Sequence, residues 1–156
     1  MKIVIPLELV ELEEKSYHMA MVAQFPQGEE LTWLIDTGAS RSVFDQSLTS
    51  CYEPLSHDEG SPVQSAGIGS TSFDASLALL REFSLGEVTL PPMKVALIDL
   101  SHINELYFNA VGIRICGLIG SDFLLEYKAL IDYSRRQITL HSRGRSGFLN
   151  AREAEK

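Results

Sequence analysis

A mainly β domain is what this sequence predicts, and three observations carry that expectation. Short stretches rich in β-branched and apolar residues recur between clusters of Gly, Pro, Ser and Asp, the pattern of strands punctuated by turns. Helical periodicity shows only in brief segments. The chain has 156 residues, 45% of them hydrophobic and 22% charged, enough to bury one sizeable core, so a single domain is expected over residues 1–141. The polar, mixed-charge segment 142–156 is expected to be a mobile tail.

The elements follow in order. Ile3, Ile5, Leu7 and Leu9 alternate over an expected first strand, which puts them on one face. Residues 16–25 pair with 31–35 across the turn Pro26-Gln27-Gly28. A short helix is expected over 44–50 and another over 101–108 with Ser101 as its N-cap. Residues 63–80 carry Gly67 and Gly69 among alternating residues, which suits a hairpin with a flexible tip. Residues 88–97 predict another strand despite Pro91 and Pro92. A helix over 121–128, capped by Ser121 or Asp122, precedes strands over 129–133 and 137–141 joined by Ser134-Arg135-Arg136.

Charge and composition exclude several classes of function. Lys plus Arg total 13 against 21 Asp plus Glu, a formal net charge of -8 that opposes phosphate-driven binding, so no nucleic-acid partner is expected. No apolar run reaches the roughly 20 residues of a membrane helix. The apolar start carries Glu8 and runs into Glu11, Glu13 and Glu14, so neither a membrane span nor a signal peptide is expected. Cys51 and Cys116 allow one bridge at most and are taken as reduced, Cys116 as a small core residue, consistent with a cytoplasmic location. His18, His57, His102 and His141 are scattered without metal-ligand spacing, so no metal and no cofactor are expected.

The residues that carry chemistry are Leu34-Ile35-Asp36-Thr37-Gly38-Ala39-Ser40, an acid directly after an apolar strand and directly before a threonine and a glycine. A second apolar-glycine element, Gly117-Leu118-Ile119-Gly120-Ser121-Asp122-Phe123-Leu124, leads into Ala129-Leu130-Ile131-Asp132-Tyr133. This combination resembles the retropepsin-like aspartic proteases over residues 31–140. The family has a hydrophobic pair before D-T-G-A, a glycine-bearing flap, and a late apolar I-G element followed by a short helix and a final strand. Here these fall on Leu34-Ile35 before Asp36, on Ala66-Gly67-Ile68-Gly69, and on Leu118-Ile119-Gly120. The resemblance implies a retropepsin-like acid-protease barrel with short helices, one lobe per chain, assembled as a two-fold dimer.

Two departures stand out. Retroviral members carry aspartate after D-T-G-A and arginine after the late glycine, an ion pair that ties their dimer, whereas this chain has Ser40 and Ser121. The spacing from Asp36 to Gly120 also exceeds that of the compact retroviral enzymes, which places an insertion over residues 97–112. Ala66 and Ser70 replace flap glycines and are expected to stiffen it.

Counting the motif sets the expected assembly. Aspartic proteolysis needs two carboxylates facing one water, and the chain has one D-T-G; Asp45, Asp58, Asp74, Asp99, Asp122 and Asp132 do not repeat it. A pepsin-like single chain needs two lobes and about twice this length. A homodimer supplies the second Asp36 by symmetry. The implied activity is an aspartic endopeptidase in which two carboxylates about 3 Å apart share one proton. One acts as general base on the water while the other hydrogen-bonds the scissile carbonyl. By the same resemblance Thr37 bonds across the dimer axis and Gly38 lets the substrate backbone approach. The substrate is an extended peptide held as an added strand. Its contacts are expected at Leu34, Ala39, Ser40, Arg41 and Val43, at Gly67, Ile68 and Gly69 of the flap, and at Ile115 and Leu118. The alternative is a non-catalytic peptide-binding or dimerisation module of the same fold.

Overall fold

Pro6 is the last residue of the first strand. In the computed structural model, which describes residues 1–55, 76–142 and 149–150, the expected first strand is two strands, β1 (Lys2–Pro6) and β2 (Glu8–Glu13), in different sheets. Proline has no amide proton to donate, and the next amide, Leu7, bonds to Arg136 O at 2.8 Å. Ile5 and Leu7 are both buried, so the alternation marks the core face across the break.

The hairpin of β3 (Ser16–Gln24) and β4 (Glu30–Ile35) forms as the sequence predicts, with Ala20 opposite Leu34 and Ala23 opposite Leu31. Gly28, at φ 88°, takes the left-handed position its turn requires. The helix expected over 44–50 is absent. Its residues form β5 (Val43–Asp45), a turn, and a single 3-10 turn at Thr49–Cys51 that leads into β6 (Tyr52–Pro54). The cause is local: the buried Asp45 carboxylate accepts from Ser47 N at 3.0 Å and Ser47 Oγ at 2.9 Å, an Asx turn that competes with helix.

Of the expected 63–80 hairpin, β7 (Ser76–Leu80) is seen; Gly67, Ile68 and Gly69 lie outside the described residues. β8 (Phe83–Leu85) and β9 (Val88–Leu90) turn about Gly86, and β8 was not anticipated. The strand expected over 88–97 is interrupted, because Pro91 and Pro92 lack donors, and resumes as β10 (Met93–Ile98).

The insertion carries helix α1 (Ser101–Val111), which ends at Gly112 in the left-handed conformation, with Gly112 N bonded to Phe108 O at 2.9 Å. Ser101 is its first residue rather than its cap. Asp99 Oδ1 accepts from Ser101 N at 2.9 Å, and the bonds from Ser101 hold the Asp99 carboxyl below its usual range. β11 (Ile115–Ile119) and α2 (Ser121–Glu126) follow, then β12 (Leu130–Asp132) and β13 (Gln137–His141). α2 is shorter than expected, and Gly120 occupies its N-cap position in place of Ser121 or Asp122. Two residues of the expected tail form β14 (Leu149–Asn150) against β9.

The strands make two sheets, a small one in the order β1-β13-β12 and a large one in the order β14-β9-β8-β3-β4-β11-β5-β10-β7-β6, with β2 paired to β3. Most neighbours are antiparallel, but β4 runs parallel to β11 and β5 parallel to β10. Because β11 sits between β4 and β5, the segment from Asp36 to Ser42 must cross the end of β11. The main core lies on one face, where Trp33, Phe44 and Phe83 are fully buried, with ring centroids 5.5 Å (Trp33 to Phe44) and 5.6 Å (Trp33 to Phe83) apart. On the other face α1 covers a second cluster of Val10, Ala20, Leu34, Tyr107 and Ile115. Among the described residues no helix is long and apolar enough to cross a membrane.

Candidate active site

The parallel pair β4 and β11 delivers both motif elements to the same end of the sheet, at the C-termini of the two strands. Leu34 lies beside Leu118 and Ile35 beside Ile119, and Asp36 N continues the pairing with a 2.9 Å bond to Ile119 O. The chain then turns: Ala39 N bonds to Asp36 O at 3.1 Å and Gly38 N donates to Asp36 Oδ1 at 3.0 Å. Asp36, Thr37 and Gly38 are all exposed. Among the described residues Oδ2 of Asp36 has no hydrogen bond, so the carboxylate is oriented by one oxygen and open at the other.

A buried hydroxyl locks this loop to the late glycine. Ser42, fully buried, accepts from Gly120 N at 2.9 Å and donates to Asp122 Oδ1 at 2.8 Å. The same Asp122 oxygen accepts from Ser42 N at 2.9 Å and Phe123 N at 2.8 Å. Ser121 N bonds to Ala39 O at 2.7 Å, and Ser121 Oγ donates to Ser40 O at 3.4 Å. Gly120 is required for a steric reason, since a Cβ there would lie 2.8 Å from Ala39 O and 2.9 Å from Arg41 O. Ser40 and Ser121, which stand where retroviral members have an ion pair, are thus joined through a neutral contact.

The expected substrate-binding residues divide into three groups. Ala39, Ser40 and Arg41 lie on the motif loop with Asp36, and Val43 and Leu118 are half-buried beside it on paired strands. Leu34 and Ile115 are buried, in the cluster beneath α1 rather than open to a cleft. Gly67, Ile68 and Gly69 fall outside the described residues. Ser42 and Asp122 are not among the site residues the sequence predicts. They lie 80 positions apart, and nothing local in the sequence couples a serine after the motif to an acid after the late glycine. Cys51 and Cys116 are both free and buried.

The comparisons agree with this geometry. A family model described as aspartyl protease matches residues 21–123, and the chain belongs to that family. Within it the fold is that of the retropepsin-like aspartic proteases. The retroviral protease-like domain of Ddi1 from Leishmania major superposes with a TM-score of 0.51 at 12% identity, covering 91% of this chain and 100% of that one. A structure of edgp gives a TM-score of 0.53 at 12% identity, covering 97% of this chain and 49% of that one. A retropepsin-like aspartic protease from Rickettsia conorii gives 0.47 at 17% identity, covering 90% of each chain. For the two structures at 12% identity the likeness is one of fold. No curated protein matches the sequence.

Proposed function

We propose that the chain is an aspartic endopeptidase whose active form is a homodimer with one Asp36 from each subunit. The observation that supports this reading is the Asp36 carboxylate itself: exposed at the C-terminal end of β4, fixed by Gly38 N at 3.0 Å, and among the described residues without a hydrogen bond on its second oxygen. One carboxylate does not complete the chemistry, and the chain supplies a single D-T-G. A two-fold axis near Asp36 brings a second copy of the same surface to it.

In that dimer the two carboxylates lie too close for both to ionise and hold one proton between them. The ionised one takes a proton from the bound water as the water attacks the scissile carbonyl. The protonated one hydrogen-bonds the carbonyl oxygen, and the proton then passes to the leaving amine. Thr37, exposed next to Asp36, bonds across the axis, and Gly38 keeps the loop free of a side chain where the substrate backbone runs. Leu118 and Val43 supply apolar contact, and Arg41, Ala39 and Ser40 line the approach. Gly67, Ile68 and Gly69, which lie outside the described residues, are assigned to substrate contact by the sequence motif alone.

The test is a peptide library digested by the wild-type chain and by Asp36→Asn, with and without a hydroxyl-bearing mimic of the tetrahedral intermediate. Cleavage that the mimic blocks and the variant lacks supports the reading. A dimer that binds extended peptides and cuts none of them makes it the non-catalytic module instead.

A further inference from the structure

The insertion that separates this chain from compact retroviral members is not a surface appendage. Its helix α1 lies on the same face of the large sheet as the catalytic motif. Successive strand residues point to opposite faces, so Leu34 and Asp36 share one face while Trp33 and Ile35 take the other. Leu118, paired with Leu34, lies on that shared face as well. It is this face that α1 covers, with Tyr107 buried at 5% exposure against Val10, Ala20, Leu34 and Ile115, and Ile103 and Leu118 at the margin.

Register places the helix toward the end of β4 that leads into Asp36. Ala20 faces Leu34 at the end of the β3–β4 pairing, and His18, the next β3 residue on that face, lies beyond it in the direction of Asp36. His18 pairs with Val10 of β2, and the Tyr107 ring meets the His18 ring edge-on with centroids 6.0 Å apart. The helix is also pinned to β11: Asn104 Oδ1 accepts from Ile115 N at 2.6 Å and Asn104 Nδ2 donates to Ile115 O at 2.9 Å. A side-chain amide that takes the place of a neighbouring strand fixes α1 against β11.

We propose that α1 is a wall of the substrate cleft and that Tyr107 is a specificity-determining residue, filling the apolar space over Leu34 that would otherwise receive a large substrate side chain. The apolar surface left open beside Asp36 is that of Leu118 and Val43, both half-buried. The subsites next to the scissile bond therefore take small side chains, of alanine to valine size, and two-fold symmetry repeats the restriction on both sides of the bond. This inference rests on the endopeptidase reading above.

The experiment compares cleavage-site profiles on a peptide library for the wild-type chain, Tyr107→Ala, Tyr107→Phe, and Phe83→Leu as a control with a truncated core on the opposite face. Removing the Tyr107 ring should raise the ratio of kcat/KM for phenylalanine over alanine next to the scissile bond by about 10-fold or more, the range that hydrophobic pockets discriminate. Tyr107→Phe, which keeps the ring, should retain the wild-type profile, and Phe83→Leu should lower stability without changing it. Should Tyr107→Ala fail to fold, Ile103→Ala, at the margin of the same cluster, should shift the ratio in the same direction. Cleavage by the wild-type chain with a ratio unmoved in whichever of these variants folds overturns this inference alone. Absence of cleavage by the wild-type chain overturns the endopeptidase reading, and this inference with it.

Discussion

Ser42→Ala removes one hydroxyl from the centre of the network that holds the D-T-G loop. The Asp122 carboxylate loses one of three donors but keeps Ser42 N at 2.9 Å and Phe123 N at 2.8 Å, so this side of the loss is modest, about 1 kcal/mol. The other side is larger. Gly120 N, itself in a buried residue, donates to Ser42 Oγ at 2.9 Å, and an alanine leaves that amide without an acceptor. Stranding a buried donor costs about 1–3 kcal/mol, so the variant should lose roughly 2–4 kcal/mol in all. Urea unfolding followed by tryptophan fluorescence measures it, because Trp33 is fully buried. Ser40→Ala is the control: its contact to Ser121 uses the backbone carbonyl, which alanine retains, so it should change stability by less than about 0.5 kcal/mol. In a double-mutant cycle with Asp122→Ala the two losses should fall short of additive, since one bond is counted in both. A Ser42→Ala variant as stable as Ser40→Ala would refute the network as the support of the loop.

Two further outcomes follow from the same structure. Gly120→Ala places a Cβ 2.8 Å from Ala39 O and 2.8 Å from the Arg41 carbonyl carbon. Backbone atoms cannot step aside cheaply, so the variant should lose about 1–3 kcal/mol and most of its activity, measured by the same unfolding assay and by peptide cleavage; a neutral effect would contradict the close crossing. At alkaline pH, burial pushes the Cys116 thiol well above its usual range and raises that of Cys51. The folded state keeps these protons longer than the unfolded chain. The stability they contribute is therefore complete below the unfolded value of about 8.5 and falls as pH rises past it toward the folded values. Urea midpoints should drop from about pH 8 upward, and Cys116→Ala should flatten that slope; identical slopes would remove the buried thiol as the cause.

How much of this was legible in the sequence depended on whether the signal was local. The β3–β4 hairpin, the D-T-G at the end of β4, the late glycine directly after β11 and the final β12–β13 pair all carry short-range patterns, and each stands where the sequence predicts it. The misses have local causes that composition hides. Residues 44–50 have enough apolar spacing for a helix, but the Asp45 carboxylate captures Ser47 and holds a turn. Pro6 and Pro91-Pro92 each stand where one apolar alternation divides into two strands, and at Pro91-Pro92 two missing amide protons interrupt the pairing. The deeper gaps are long-range. Ser42 meets Asp122 across 80 positions, and α1 reaches Leu34 and Val10 only through the fold. No periodicity within a segment records such contacts. Leu34 and Ile115 share a buried cluster with Tyr107 of α1, a packing that neither segment's own pattern carries.

The central claim is that two copies of Asp36 make one active site, and subunit mixing tests it directly. Wild-type chain at fixed concentration is combined with Asp36→Asn under conditions that allow dimers to exchange, and peptide cleavage is measured as the variant is added. A shared site predicts that every mixed dimer is dead, so an equimolar addition should halve the activity and a roughly nine-fold excess should leave about one-tenth of it. Activity that stays constant as the variant is added would mean that each chain carries a complete site by itself, and that outcome would contradict the account.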